Sequence, residues 1–439
     1  MAAFRVLIVG AGLGGLACAI ACRRAGLNVT ILERSPELTE VGAGILLPPN
    51  AACIMRSWGL LDQLEANSAE PQACYKIQDY KTGEILIERP GPEWATQTFG
   101  SSWYHIHRAD YQRVLAEEAL KWGAKLRLGC HVTQVDCSDK PFVRLASGEE
   151  IQADVVVGAD GLFPSCVGST LRTAVVGHEV RPKATGDLAY RAVITKEHLD
   201  GLHDATLAPL LNVKAEAWAW IGPKMHSMLY PVRQTSEYNL VLLCPDDIPA
   251  GVRKEPAERI QMEMLFQEWH PTVRALIAGA EPQVLKWKVE HMTELEHWTR
   301  GNVVLLGDAC HPTPPYQGQG AALAVEDGVC LGILLGLRRA STPHIPLAEI
   351  LDLYCQLRKE RTALQLPGAL NNRALFHMEG EADRQKRNAV FKTATWDERS
   401  EGFEYSMADM TYQRALHGYD TIEATHEAFR QRFPAMALL

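Results

Sequence analysis

The stretch from Phe4 to Glu33 constrains the fold more than any other part of the chain. Phe4 to Val9 is an aromatic and β-branched run bounded by glycine, which reads as a short buried strand. Gly10-Ala11-Gly12-Leu13-Gly14-Gly15 follows, then an apolar helical stretch through Ala25 that Gly26 closes, then a second strand, Val29 to Leu32, ending in Glu33. GxGxxG between a strand and a helix, with an acid about twenty residues further on, is the pattern of a dinucleotide-binding βαβ unit. Gly10 permits the sharp turn, Gly12 lets backbone approach a diphosphate, and Gly15 lets helix and strand pack closely. The helix N-terminus offers unpaired N–H groups and partial positive charge to the anion. Glu33 is placed to accept ribose hydroxyls, and the adjoining Arg34 is a further cofactor-binding candidate. The fingerprint alone leaves NAD and FAD both open.

The rest of the composition narrows the class. A length of 439 residues allows two or three packed units. A net charge of -9 argues against a nucleic-acid partner, because phosphate neutralisation needs a basic face. The charge-free run Val6 to Cys22 is interrupted by glycines, so strand, turn and helix explain it and no membrane span is expected. The 11 cysteines are scattered, with no CxxC pair and no zinc spacing. No metal site is expected, Cys18 and Cys22 read as filling a small apolar helix face, and a reducing, cytoplasmic location follows.

Two later motifs repeat the logic of a buried strand ending in a polar turn. Val155-Val156-Val157-Gly158-Ala159-Asp160-Gly161 is one; Asn302 to Leu306 running into Gly307-Asp308 and a proline-rich loop is the other. An Asp at the end of a buried strand is well placed to take sugar or ribityl hydroxyls at the carboxyl edge of a parallel sheet. Gln317-Gly318-Gln319-Gly320-Ala321 then opens a helix whose positive end faces back at that loop.

These three motifs, in this order and at these separations, resemble the class A flavoprotein monooxygenases of the para-hydroxybenzoate hydroxylase fold. The likeness is greatest to the salicylate hydroxylase and 6-hydroxynicotinate monooxygenase group and its fungal natural-product relatives. Gly42-Ala43-Gly44-Ile45 with Pro49-Asn50, His107-Arg108-Ala109-Asp110, Ala189-Tyr190-Arg191, His270-Pro271-Thr272-Val273, Arg358-Lys359-Glu360-Arg361 and Phe376-His377-Met378 extend it over nearly the whole chain. The resemblance implies an α/β fold: a Rossmann-like FAD-binding domain, an inserted, mainly antiparallel β-sheet substrate domain and a C-terminal helical region. The expected boundaries are 1–75, 100–180 and 285–340 for the first, 76–99 and 181–284 for the second, and 341–439 for the third. It also implies that the first fingerprint holds the ADP part of FAD, that Gly44, Ile45 and Arg108 contact the cofactor, and that Asp160 borders the region serving NADH or NADPH. Asp308 would hold the ribityl-pyrophosphate part, and Pro315, Gly318, Gly320 and Ala321 would face the flavin pyrimidine edge. The chain departs from the family at Asp160-Gly161-Leu162-Phe163-Pro164-Ser165, where relatives read DGxxS followed closely by an arginine. Ser165 comes one residue late, with no arginine at the usual place.

Between Thr185 and Trp287 the pattern turns to strands: Leu188–Ile194, Ala217–Ile221, Met225–Val232 and Tyr238–Leu243. The two-residue period puts His226, Met228 and Tyr230 on one face and sets Tyr190 and Arg191 on opposite faces. A guanidinium in an apolar strand needs an anion, so Arg191 either pairs with a nearby acid or holds a phenolate, enolate or carboxylate substrate. His226 and Tyr230 match the spacing of a pocket pair in the hydroxynicotinate group; His226 would take a hydroxyl proton and Tyr230 hydrogen-bond the activated oxygen. Satisfied sheet residues would look the same. Leu46 stands where that group often has a polar residue. Trp218 and Trp220 would serve either as flat pocket walls or as core.

The resemblance implies a small-molecule enzyme, monomeric or homodimeric. By that resemblance NAD(P)H would reduce FAD, dioxygen would add to give a C4a-hydroperoxide, and an electron-rich aromatic or polycyclic substrate would be hydroxylated, epoxidised or dearomatised. Two other readings fit the same fold: a flavin-dependent reductase of C=C bonds, and a flavin-less binding protein akin to GTPase chaperones.

Overall fold

The computed structural model describes residues 4–38, 44–67, 71–162, 169–342, 345–397 and 406–436. Two sheets organise it. The first has six strands in the order Thr299–Arg300, Val303–Leu305, Val155–Gly158, Arg5–Val9, Asn28–Leu32, Lys125–Arg127. Arg5–Val9 pairs in parallel with Asn28–Leu32 on one side and Val155–Gly158 on the other, and Val303–Leu305 pairs in parallel with Val155–Gly158. All three motif strands therefore end at one edge of one sheet, which the runs of buried β-branched residues require.

Helix Leu13–Arg24 leaves the fingerprint and packs against the long helix Gly320–Ala340. Their approach depends on small residues. A Cβ at Gly328 would stand 2.5 Å from the Gly14 carbonyl, one at Gly332 2.4 Å from Ala21 Cβ, and one at Gly336 2.5 Å from Ala25 Cβ. Cys18 and Cys22 lie in this helix fully buried, sulfurs 3.9 Å apart, as filling of a small apolar face. Gly320–Ala340 has the length and hydropathy of a membrane-crossing helix, yet two-thirds of its most apolar window (67%) is buried here against other parts of the chain.

The second sheet has eight strands in the order Lys254–Glu258, Gln283–His291, Lys183–Thr195, Glu237–Pro245, Met225–Val232, Glu216–Gly222, Cys74–Asp79, Ile85–Arg89. All pairings are antiparallel except that of Glu216–Gly222 with Cys74–Asp79. Two of the sequence boundaries fall inside its strands. Cys74–Asp79 straddles 75/76, and Gln283–His291 straddles 284/285. The latter pairs from Arg191↔Leu285 to Lys183↔His291, so the sheet runs on to His291. Its outer face packs on a core containing Tyr190, Trp218, Trp220, Phe266 and Trp269. Trp218 and Trp220 are thus core, 3% and 1% exposed, and not pocket walls: alternation turns Ala217 toward the inner face in their place. Beyond 341 the chain is helical, with Leu347–Thr362, Gln365–Phe376, Glu381–Phe391, Met410–His417 and Thr421–Arg432.

Candidate active site

One cavity of about 1170 Å³ runs from the fingerprint turn to the inner face of the eight-stranded sheet. It exceeds the ~300–1,000 Å³ usual for a single small ligand. Of the residues singled out in the sequence, Gly12, Gly15, Gly44, Ile45, Arg108, Arg191, His226, Tyr230, Asp308, Pro315, Gly318, Gly320 and Ala321 all line it. Gly10, Glu33, Arg34 and Asp160 do not. Arg34 is exposed on the loop after the second strand.

The fingerprint glycines divide their work by geometry. Gly10 has φ +112, and a Cβ there would stand 2.2 Å from the Ala159 carbonyl; one at Gly15 would stand 2.2 Å from the Gly10 carbonyl. A Cβ at Gly12, the N-cap of the helix, would meet nothing within 4 Å. Gly10 and Gly15 therefore close the turn on itself, while Gly12 opens its backbone to the cavity. Glu33 reinforces the turn: its Oε2 accepts from Ala11 N at 2.8 Å and its Oε1 from Ser35 N at 2.9 Å. A second helix N-terminus, at Gly320, opens on the same cavity, where a Cβ would have only Thr313 Oγ1 at 3.8 Å and Asp308 Oδ1 at 4.0 Å for neighbours. Two helix N-termini with bare backbone, an acid between them and two guanidiniums alongside suit a dinucleotide diphosphate joined to a ring that carries negative charge.

Asp160 supports this turn from behind. Its carboxylate accepts from Ser169 Oγ at 2.9 and 2.8 Å, and Ser169 in turn caps helix Thr170–Val176 through Arg172 N. The Arg172 side chain, 1% exposed, donates to the carbonyls of Ala309 (2.7 Å), Leu162 (3.2 Å), Gly161 (2.9 Å) and Asp308 (3.1 Å). It ties the second motif turn to the third. Ser169 and Arg172 thus give the Asp160 turn a serine and an arginine from further along the chain; Ser165 lies outside the described residues. Burial raises the Asp160 carboxyl to about 6, against the pull of Ser169 and Arg172.

Arg108 and Asp308 both open onto the cavity. Burial lowers Arg108 below the ordinary guanidinium range; Asp308 opposes that shift and the facing Arg191 adds to it. Arg191 itself has no acid within ion-pair distance among the described residues, so the structural-pair alternative finds no partner there.

His226, Met228 and Tyr230 share the cavity face of Met225–Val232. Tyr230 OH donates to the Gly44 carbonyl at 2.8 Å, and its ring stacks on His105 at 4.5 Å. A Cβ at Gly44 would stand 2.4 Å from the Tyr230 ring, so glycine is needed there for the ring to lie flat. Burial pushes the Tyr230 phenol up to about 12. His226 Nδ1 lies 2.7 Å from His377 Nε2, and burial, with His377 adjacent, holds His226 well below the usual imidazole range.

Behind His377 stands a hub that sequence reasoning missed. Asp187, 2% exposed, lies 3.4 Å from His377 Nδ1, accepts from Arg373 Nε and Nη2 at 2.7 and 2.6 Å, and accepts from the Tyr316 hydroxyl. Burial lowers His377 to about 4 although Asp187 opposes it. Phe376-His377 was visible as a motif; nothing local marks Asp187, which meets Arg373 and His377 only through the fold.

Comparison with known proteins places this site in a family. The model of an FAD binding domain matches residues 3–360. The chain is 35% identical over 428 residues to the FAD-dependent monooxygenase OpS4 of Beauveria bassiana, covering 96% of each. It is 37% identical over 331 residues to a 6-hydroxynicotinate 3-monooxygenase of Bordetella bronchiseptica, covering 74% of this chain and 81% of that one. Among solved structures, Klebsiella pneumoniae HpxO in complex with FAD and uric acid superposes with a TM-score of 0.77 at 23% identity, covering 94% of this chain and 97% of that one. Fold and site together define an FAD-binding oxidoreductase. The chain belongs to the FAD-dependent aromatic monooxygenases of class A.

Proposed function

We propose that this protein uses NADH or NADPH and dioxygen to hydroxylate an electron-rich aromatic ring, with the ring bound as an anion. The observation that carries this reading is the continuity of one cavity: Gly12, Asp308 and Gly320 line the same space as Arg191, His226 and Tyr230. When bound, reduced FAD supplies the electrons that activate dioxygen for transfer of one oxygen atom to the ring.

The chain's own residues do the rest. Gly12 and Gly320 present helix N-termini to the cofactor, and Arg108 and Asp308 flank it. Arg191 stabilises the substrate anion, because no protein carboxylate competes for it among the described residues. Asp187 makes no hydrogen bond to His377 Nδ1, but its charge 3.4 Å away favours the tautomer that carries the proton there. His377 Nε2 then accepts from His226 Nδ1, which leaves His226 Nε2 as the base for the substrate hydroxyl. Tyr230, protonated and anchored on the Gly44 carbonyl, fixes the ring's edge. The apolar lining of Leu46, Met228, Val241 and Leu243 keeps water from the reacting atoms.

The test is NAD(P)H oxidation by the yellow protein with a panel of phenols, hydroxybenzoates and hydroxypyridines under ¹⁸O₂. The expected result is substrate-accelerated oxidation and a product carrying one ¹⁸O. Anaerobic saturation of a C=C bond, or protein that cannot be loaded with FAD, would overturn the proposal.

A further inference from the structure

The cavity wall includes an imidazole that the reaction above does not use. His417 ends helix Met410–His417, is 5% exposed and lines the cavity. Its ring packs edge to face on Trp103 and Phe99, at 5.0 and 5.7 Å. Arg361 holds this last turn of the helix, donating from Nη1 and Nη2 to the carbonyls of Ala415 and Leu416 at 2.5 and 2.6 Å.

A chain of hydrogen bonds on the side away from the cavity fixes which ring nitrogen carries the proton. The Glu326 carboxylate, paired with Arg358 and Arg361, lies 2.6 Å from Asn50 Nδ2. A carboxylate only accepts, so it is the amide nitrogen of Asn50 that faces it. The same Nδ2 donates to Gln319 Oε1 at 3.2 Å, which turns Gln319 Nε2 toward His417 Nδ1 at 3.1 Å. An amide nitrogen only donates, so Nδ1 accepts and the neutral ring carries its hydrogen on Nε2. Burial, with Arg89 and Arg361 adding to it, holds His417 well below the usual imidazole range, and the ring is neutral at pH 7.

His417 Nε2 forms no hydrogen bond among the described residues, and unlike the indole nitrogen of Trp103 it is not sealed inside the wall. It therefore offers the cavity one uncharged N–H. A buried anion needs a cation to hold it, whereas a carbonyl oxygen is satisfied by one such donor. The reach to the reacting ring is short. Gly44, whose carbonyl holds the Tyr230 hydroxyl, and Leu46, which packs on the Trp103 and Phe99 cluster, are two residues apart on one strand. At ~3.4 Å per residue that is about 7 Å, a span that suits a substrate of two or three rings.

We propose that His417 is a specificity-determining residue whose Nε2–H donates to an uncharged carbonyl oxygen on a multi-ring aromatic substrate, a ring ketone or quinone. It favours that class over the corresponding hydrocarbon and sets which edge of the substrate lies at Tyr230 and His226. Gln319 and Asn50 act through it, as positioning residues that keep the donor on the cavity side. The proposal rests on the functional reading above for the identity of the pocket.

The test uses the FAD-loaded protein and rigid ligand pairs in which C=O replaces CH2: 6-hydroxy-1-tetralone against 5,6,7,8-tetrahydro-2-naphthol, and 2-hydroxyfluorenone against 2-hydroxyfluorene. Binding is read from the change in flavin absorbance and from thermal shift, without turnover. In His417→Asn the side-chain oxygen still accepts from Gln319, but no donor reaches the place of Nε2. The ratio of ketone to hydrocarbon affinity should there fall about 3- to 10-fold, the worth of one neutral hydrogen bond. His417→Phe, which keeps the ring contacts and loses both nitrogens, should show the same fall. His417→Gln, whose amide takes the place of Nε2, should keep most of the wild-type ratio. A merely structural His417 would weaken ketone and hydrocarbon alike. Equal weakening of the two, an unchanged ratio in His417→Asn and His417→Phe with normal FAD content, or a wild type that binds neither ketone would overturn the assignment. If His417→Asn does not fold, His417→Phe decides. His417-dependent ketone binding without NAD(P)H-driven oxygen transfer would refute the proposed function and leave this role standing; oxygen transfer to phenols with an unchanged ratio in the variants would do the reverse.

Discussion

Replacing Gly12 and Gly15 by alanine, one at a time, separates the cofactor's space from the protein's own. At Gly15 the new Cβ would lie 2.2 Å from the Gly10 carbonyl and 3.2 Å from Ala159 Cβ. Backbone has to retreat by about an ångström, and overpacking of that kind costs about 1–3 kcal/mol. At Gly12 the Cβ meets nothing within 4 Å, and φ -71, ψ 175 suits alanine. There the gain from a stiffer unfolded chain, about 0.4–1 kcal/mol, is offset by the loss of a good N-cap residue, so stability hardly changes. The cofactor sees the opposite contrast. A methyl at Gly12 holds the diphosphate off the helix N-terminus and removes one or two charge-assisted N–H bonds, about 2–4 kcal/mol, or roughly 30- to 1,000-fold in FAD affinity. For 439 residues, ~2.1 cal/mol/K per residue converts 1 kcal/mol into only about 1 °C of melting temperature, so stability is better read from urea midpoints. FAD affinity is read by flavin-fluorescence titration. Gly12→Ala should keep the wild-type midpoint without added FAD and lose FAD; Gly15→Ala should lose both. Wild-type FAD affinity in Gly12→Ala would refute the placement of the diphosphate at this helix.

Three other substitutions test the remaining parts of the site. Arg191→Met should lower kcat/KM for phenolate substrates about 10- to 100-fold while leaving the urea midpoint unchanged or raised, since no protein acceptor is abandoned; steady-state kinetics and denaturation on the same sample decide it. Asp187→Asn should cost about 2–3 kcal/mol, toward the low side for a broken buried pair because the Arg373 side chain is 34% exposed. It should also lower kcat at least tenfold and move the pH profile of kcat, because His377 loses the acid that fixes its tautomer; lost stability with unchanged kcat and pH profile would make Asp187 purely structural. Asp160, raised to about 6 by burial, favours the fold in its protonated form. Its contribution is complete below about pH 4 and is lost as pH rises through about 6. Urea midpoints measured from pH 4 to pH 7 should therefore shift in favour of Asp160→Asn relative to the wild type as pH rises, and a pH-independent difference would contradict the burial of this carboxyl.

The lining glycines of the fingerprint were legible because their signals are local, whereas Glu33 and Asp160, read in the sequence as cofactor contacts, hold turns beside the cavity. A strand, a glycine turn and an acid occur within thirty-odd residues, and each glycine's role follows from backbone geometry that chain neighbours impose. The same holds for His226 and Tyr230, whose common face follows from a period of two. What escaped was whatever depends on contacts between distant segments. Asp187 has no neighbour in sequence that marks it, and its partners are 129 and 186 residues away. Nothing local marks Ser169 as the partner of Asp160 or Arg172 as the tie to Asp308 and Ala309, the latter two more than a hundred residues on. Trp218 and Trp220 were ambiguous because alternation fixes which residues share a face, not which face is the core.

The long helix Gly320–Ala340 shows how these levels depend on one another. By hydropathy it is among the most apolar stretches of the chain, yet it carries Glu326 and Asp327 at 0% exposure. Neither could stay ionised there alone. Glu326 is held by Arg358, Arg361 and Asn50, and Asp327 by Arg358 and His311; burial alone would raise Asp327, but these partners bring it down to about 2. Asp327 also accepts from Gly307 N at 2.8 Å, so it fixes the turn that presents Asp308. Gln319, the N-cap, is tied to Asn50 and His417. An apolar helix could slide along its packing stripe by a turn at little cost; one pinned by two buried acids cannot, because slippage would strip both of their partners. The position of the Gly320 N-terminus, on which its interaction with a reduced cofactor depends, is thus set by ion pairs in the middle of the helix. Arg358 and Arg361, which do not themselves line the cavity, act on the site through that register, and Arg361 also holds the carbonyl of the lining residue Leu416 at 2.6 Å.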